Sequence, residues 1–352
     1  MMAEMYAEFD KQRRKVDVDN LDVTVRELVR MVNSDEIDRA AEYQRKFRWG
    51  EDRESKLIES LILGLPVPTI FVATNKDGTW ELVDGLQRVS SLVHFVTEEP
   101  HKEGFKKVGK TSALVLKELQ QLASFNGATY EDLPDTIRLQ FLKRSLRVTA
   151  ISDKSDKQVR FDTFQRLNTG GIVLSAQEVR ACVYRGPLND FIEQTAADRR
   201  LKALVKLQSG KQDDGTLEEF VLKVIAYKEM RDRFDGGVTE FLNQYCDDNS
   251  SSFDVAANSQ LFDKTVASLS KIFDGPILKK GYGVTPLNLA EAIFIAAAEL
   301  VSSRKTRFKP LPGWLADKDL LKYTTKGTNT KSFLEGRIRR SKELLLGATP
   351  SR

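Results

Sequence analysis

Hydrophobic periodicity changes once along this chain, and the change limits the folds open to it. Up to about residue 152, short strand-like runs alternate with helices. Beyond residue 186 nearly every segment has helical spacing, as in EEFVLKVIAYKEM, LFDKTVASLSKIF and LNLAEAIFIAAAELV. A chain of 352 residues, 41% of them hydrophobic, can bury two cores. The expected class is α+β, with an α/β domain over residues 1–170 and a mostly helical domain over 171–352.

Local signals order the first part. TVRELVRMVN predicts a short helix capped by Thr24. EDRESKLIESLILGLPVP predicts a helix burying Leu57, Ile58, Leu61 and Ile62, with Gly64 just past its end and Pro66 as a stop. TIFVAT and TWELV flank Asn75-Lys76-Asp77-Gly78 as a β-hairpin. A helix spans Pro134 to Lys143. Ser175 and Glu178 form a capping box opening another helix, which Gly186 is expected to end. AAEYQRKFRW reads as extended.

The second strand of the hairpin stops at Asp84-Gly85, and helical spacing begins at Val89. A glycine at a strand-to-helix corner lets backbone amides approach a phosphate, the helix N-terminus adds partial positive charge, and Arg88 can fork onto phosphate oxygens. Gln87 could hold a water or a base edge, and Asp84 could hold Mg2+. Five residues alone fit a tight turn with a surface arginine at least as simply. Two further segments bear on the choice. Tyr43, Gln44, Arg45, Arg48 and Trp49 combine an amide, basic groups and aromatics able to stack a base and grip phosphate, or to pack as an ordinary tryptophan with solvated arginines. Asn168, Thr169, Gly170 and Gly171 sit just before the capped helix, as a site wall or as a plain loop.

Composition excludes several chemistries. Two histidines, His94 and His101, match no zinc-finger, HExxH or His-Asn-His arrangement. Cys182 and Cys246 fall in helical segments and read as buried thiols. No stretch approaches 18 uninterrupted apolar residues and the N-terminus has no signal-peptide core, so a cytoplasmic protein without a membrane anchor is expected. Lys plus Arg number 55 against 51 Asp plus Glu, a net +4 that permits nucleic-acid contact only through local patches. Three basic groups are candidates: Lys106, Lys107 and Lys110; Arg304, Lys305, Arg307 and Lys309; Arg337, Arg339, Arg340 and Lys342. Residues 104–111 also satisfy the P-loop pattern GxxxxGK[ST], but the polar, proline-containing approach TEEPHKE is no strand, so a basic loop is expected there.

EYQRKFRW…LIESLILGLPVPTIFV, VDGLQRVSSL and FDTFQRLNTGGIVLSAQEVR, in this order, closely resemble the N-terminal domain of GmrSD-type modification-dependent restriction systems, whose core is similar to ParB and sulfiredoxin. The resemblance implies a ParB/sulfiredoxin-like α/β core that binds and hydrolyses a nucleoside triphosphate of unspecified base with Mg2+. It implies catalytic roles for Asp84, Gln87 and Arg88, with Asp84 at the metal. Nucleotide contacts follow from Gln44, Arg45, Gly85, Asn168, Thr169, Gly170 and Gly171, and DNA or base contacts from Tyr43, Arg48 and Trp49. Leu86 stands where the family often has glutamine. Many relatives fuse this module to a His-Asn-His nuclease, which the histidine count excludes here. The implied role is a regulatory subunit in bacterial defence against foreign DNA, modified or not, acting with a separate HNH-type nuclease and open to oligomerisation. The alternative is a DNA-binding adaptor that recognises modified DNA without turnover.

Overall fold

The computed structural model describes residues 17–38, 49–75, 77–152, 157, 161–163, 175–209, 211, 214–279, 281–325 and 328–351, together with positions 2, 4–6 and 9. The chain divides into two compact units, 1–173 and 174–352, where the sequence places a boundary at 170/171.

The first unit is built on a five-stranded sheet: β1 (Val18–Thr24), β2 (Ile37–Asp38), β3 (Ile70–Thr74), β4 (Trp80–Asp84) and β5 (Ser145–Ile151). The order is β1-β5-β3-β4-β2, mixed in sense. β3 pairs antiparallel with β4 through the expected hairpin and parallel with β5, whose other edge takes β1 antiparallel. Polar VDNLDVT suits β1 to this edge position, where one flank of its backbone needs no strand partner.

Four helices of the first unit follow the local signals. α1 (Val25–Asn33) is capped by Thr24, whose hydroxyl accepts from the Glu27 amide at 3.3 Å. α2 (Glu51–Leu63) ends on Gly64 at φ 77°, the left-handed residue that closes its last turn. α3 (Leu86–Phe95) has nearly every residue buried, and α4 (Asp135–Leu142) starts after Pro134. The core joins Val25, Leu28 and Val29 of α1 to Ile58 and Leu61 of α2, Val89, Leu92 and Val93 of α3, and Ile70 and Val148 of the sheet. At about 1.5–3 kcal/mol for each fully buried aliphatic side chain, that packing holds α3 firmly in register.

The connection between α3 and α4 has only two short 3-10 turns, and polar groups of α2 fasten it. Glu54 is fully buried and takes the Lys110 ammonium at 3.2 Å and His94 Nδ1 at 2.6 Å. Ser55 Oγ accepts from the Lys117 amide at 3.1 Å, and Glu59 from the Gln121 and Leu122 amides at 2.9 and 2.8 Å. Residues 104–108 form one of the 3-10 turns with no strand leading into it, so the P-loop pattern is a basic loop, as expected.

Among the described residues the second unit is helical throughout: α5 (Ala176–Val183), α6 (Pro187–Ala197), α7 (Arg199–Leu204), α8 (Thr216–Met230), α9 (Val238–Asn249), α10 (Val255–Leu269), α11 (Leu287–Ser302), α12 (Lys318–Thr325) and α13 (Lys331–Leu345). The fold is thus α+β with a helical C-terminal part. The Ser175–Glu178 capping box is present in both directions. Gly186 differs from expectation. It does not end α5, which stops at Val183, but sits at φ 133° at the start of α6, where an added Cβ would lie 2.3 Å from the Ser250 carbonyl oxygen. Both cysteines are buried and neither is in a disulfide. No described helix is long and apolar enough to cross a membrane.

Candidate functional site

The corner between β4 and α3 is shaped before any side chain acts. The β3–β4 register shifts between Phe71 and Val72, so that Phe71 faces Asp84 while Val72 faces Leu82. Such an irregularity bends a strand end and re-aims the residue beside it, here Asp84. Gly85 follows at φ 112° and caps α3 without a side chain. A Cβ there would meet Ile70 Cγ1 and Cγ2 at 3.1 Å and Arg88 Nη2 at 3.4 Å, so a side chain would crowd Ile70 as well as strain the backbone. Leu86 turns into the core.

Arg88 is 9% exposed. Its Nη2 donates to Asp84 Oδ2 at 2.9 Å and to the Thr69 carbonyl at 3.1 Å, while Nε is buried without a hydrogen-bond partner among the described residues. Asp84 keeps about a third of its side chain in solvent. Gln87 Oε1 accepts the Trp49 backbone N–H at 3.0 Å, tying the start of α3 to the residue that leads into α2. Trp49 packs on the core, and the Arg53 guanidinium lies over its ring at 4.5 Å.

Chemically, this is an anion-facing corner. The first turn of α3 carries no acidic residue and no side-chain cap, and the positive end of its helix dipole favours negative charge there. The start of α2 differs, with Glu51, Asp52 and Glu54 in its first turn. There the Lys117 ammonium, hydrogen-bonded at 2.8 Å, holds the Glu51 carboxyl below its usual range.

Of the residues predicted from sequence, Asp84, Gly85, Gln87 and Arg88 stand together, with Trp49 bonded to Gln87. Tyr43, Gln44, Arg45 and Arg48 lie outside the described residues, as do Asn168, Thr169, Gly170 and Gly171. The Thr69 carbonyl and Ile70, both lining the corner, were not singled out in the sequence. Their only signal is position, at the foot of the strand next to β4. Among the described residues no group of three His, Cys, Asp or Glu side chains is arranged to hold a metal ion.

The basic groups part company. Lys106 pairs with Glu103, Lys107 with Asp35 and Lys110 with Glu54. Arg337 is buried against Glu291 and the Thr328 carbonyl, and Arg340 is taken by Asp317 and Glu343. These are internal counter-charges rather than a track for phosphates. Arg304, Lys305, Arg307 and Lys309 are exposed and make no ion pair among the described residues.

Residues 25–185 match the family described as the GmrSD restriction endonuclease, N-terminal domain. Over these residues the chain is similar to a GmrSD N-terminal domain. The match takes in strands β2 to β5, the corner at Asp84–Arg88 and the capped helix α5, and begins just after β1. The matched stretch runs past the division between the units by one helix. No curated protein and no solved structure matches the chain.

Proposed function

We propose that this protein is the nucleoside-triphosphate-binding and hydrolysing regulatory subunit of a bacterial DNA restriction system, acting with a separate HNH-type nuclease. The GmrSD match supports the restriction role, and the Asp84–Gly85–Arg88 corner carries the nucleotide reading. A buried guanidinium with an unused Nε–H beside uncapped helix amides is a poor end state for a protein and a good receptor for phosphate oxygens. The partly exposed Asp84 carboxylate suits Mg2+ shared with phosphates and water, and the ion would offset charge on the transferred phosphoryl group. Arg88 binds and orients the phosphates. Gln87 acts by holding Trp49, and through it the segment bearing Tyr43, Gln44, Arg45 and Arg48. Asn168, Thr169, Gly170 and Gly171 complete the nucleotide contacts.

One observation favours a second reading. Arg88 Nη2 already has two acceptors and Gln87 Oε1 already has a donor, an arrangement that suits steady phosphate grip better than turnover. In that case the protein is an adaptor that holds nucleic-acid phosphates without hydrolysis. The test is phosphate release from ATP, GTP, CTP and UTP with Mg2+, wild type beside Arg88→Ala, with and without DNA. Turnover lost in the variant supports the regulatory triphosphatase. Absent turnover, with DNA affinity lost in the variant, overturns it in favour of the adaptor.

A further inference from the structure

The helical unit carries a concentration of positive charge that its own fold does not use. α11 ends with the Arg304 amide bonded to the Val301 carbonyl at 2.9 Å and the Lys305 amide to the Leu300 carbonyl at 2.8 Å. That closing geometry puts Arg304 at φ 61°, the position where helices usually place glycine. A left-handed arginine costs roughly 1 kcal/mol relative to glycine, and it gains no ion pair here among the described residues.

The segment that follows is pinned to α13. The Lys309 amide donates to the Leu345 carbonyl at 3.0 Å, and Phe308 and Trp314 are buried beneath. Alongside, an open depression of about 360 Å³ is lined by Lys228, Lys342, Ser302 and Ser303, with Glu299 as its one carboxylate. Glu299 is claimed by both Arg231 and Lys342. Glu343, the next acid on α13, is held by Arg340 at 2.7 Å. Arg304, Lys305, Arg307 and Lys309 therefore face solvent without an ion pair among the described residues, with Lys228 and the Glu299-paired Lys342 partly exposed beside them, on a chain whose whole net charge is +4. Charges gathered within about a Debye length, ~10 Å at 0.1 M salt, reinforce one another toward an incoming polyanion.

We infer that this face is a docking surface for the phosphate backbone of duplex DNA. It rests on the restriction role proposed above for its choice of polyanion, and on the structure for its place. The aromatic side chains of the segment, Phe308 and Trp314, are buried, so the face offers no platform on which unpaired bases could stack. It fits a stacked duplex read through its charge and not through its bases.

The experiment is fluorescence anisotropy with a mixed-sequence DNA duplex of about 25 base pairs across about 50–200 mM salt. Wild type is compared with the quadruple variant Arg304→Gln, Lys305→Gln, Arg307→Gln, Lys309→Gln. A control with the same charge change takes four exposed lysines of the first unit: Lys56→Gln, Lys102→Gln, Lys106→Gln, Lys143→Gln. Circular dichroism melts check that each is folded. The patch variant is expected to bind at least tenfold more weakly at about 0.1 M salt, with a log–log salt slope shallower by roughly two to four, while the control stays near wild type. The inference is overturned if wild type does not bind the duplex, if patch and control variants weaken equally, or if single-stranded DNA, RNA or an acidic peptide binds better than duplex. Triphosphate turnover without DNA, measured on the same proteins, separates this result from the fate of the nucleotide site.

Discussion

Arg88 and Asp84 face each other across the first turn of α3, with Nη2 and Oδ2 2.9 Å apart, and the same nitrogen reaches the Thr69 carbonyl of the neighbouring chain segment at 3.1 Å. The corner is therefore assembled before any ligand arrives. A lysine at this position keeps the charge but offers a single ammonium in place of a planar fork. Arg88→Lys is expected to lower kcat/KM for the preferred triphosphate at least tenfold, about 1.4 kcal/mol of transition-state stabilisation, with a melting temperature within a few degrees of wild type. Steady-state phosphate release beside a thermal melt decides it. Full turnover in the lysine variant would mean that the fork geometry is not used on phosphate.

Lys110 gives the complementary prediction. In a P-loop this lysine would reach the nucleotide, but here its ammonium lies 3.2 Å from the fully buried carboxylate of Glu54, whose other oxygen faces His94. Lys110→Ala removes one counter-charge and is expected to cost about 1–3 kcal/mol of folding stability. Glu54→Gln disturbs both partners at once and is expected to cost more, about 3–5 kcal/mol. Turnover per folded molecule should survive Lys110→Ala. Urea unfolding curves and turnover on the same preparations check this; lost turnover at unchanged stability would give Lys110 a part in turnover after all.

What could be read in advance was local. The Thr24 cap, the Gly64 stop, the hairpin around Asp77-Gly78 and the Ser175–Glu178 box are short-range chemistry, and each is present. The Asp84–Arg88 corner belongs with them, because strand, glycine and helix are consecutive. Contacts between distant segments were not legible. β1 pairs with β5 at a separation of over a hundred residues, which no local pattern encodes. The Thr69 carbonyl beneath Arg88 and the Trp49 amide on Gln87 are of the same kind. Gly186 shows how a correct sign can carry a wrong meaning: its glycine is demanded by the Ser250 backbone of another element, not by the end of its own helix. Glu54 did have a signal. It is an acid in register with the buried stripe of Leu57, Ile58 and Leu61, and so a charge in need of a buried partner.

Gly336 sets two effects of opposite sign against each other. It lies inside α13, where alanine gains about 1 kcal/mol of helix propensity. An added Cβ would stand 2.7 Å from Tyr323 Cε1, and that ring is braced edge-on against Phe333 with centroids 5.5 Å apart. Overpacking of this kind costs about 1–3 kcal/mol, so sterics win unless the ring can swing away. Gly336→Ala is expected to lower stability by up to about 2 kcal/mol in chemical denaturation. A stabilised variant would show that Tyr323 yields without loss.

Asp317 makes the second unit's stability depend on acid. It is fully buried and accepts from Arg340 Nη2 at 2.8 Å, from the Leu320 amide at 2.7 Å and from the amide and hydroxyl of Ser351 at 2.7 and 2.8 Å. Burial alone would raise its pKa, but the hydrogen bonds from Arg340, Leu320 and Ser351 outweigh it and hold the carboxyl well below the usual range. A carboxyl whose pKa is lower folded than unfolded binds more protons in the unfolded chain as pH falls. Its contribution is therefore complete above the unfolded value of about 3.9 and drains away below it, toward the depressed folded value. Asp317→Asn is expected to be less stable than wild type by about 3 kcal/mol at pH 7, and the gap should narrow from about pH 5 downward. Unfolding free energies at several pH values between about 3 and 7 measure the gap directly. Curves that stay parallel to the acid end would mean that the native carboxyl titrates where an unfolded one does, and that the Arg340 and Ser351 bonds add nothing to its ionised form.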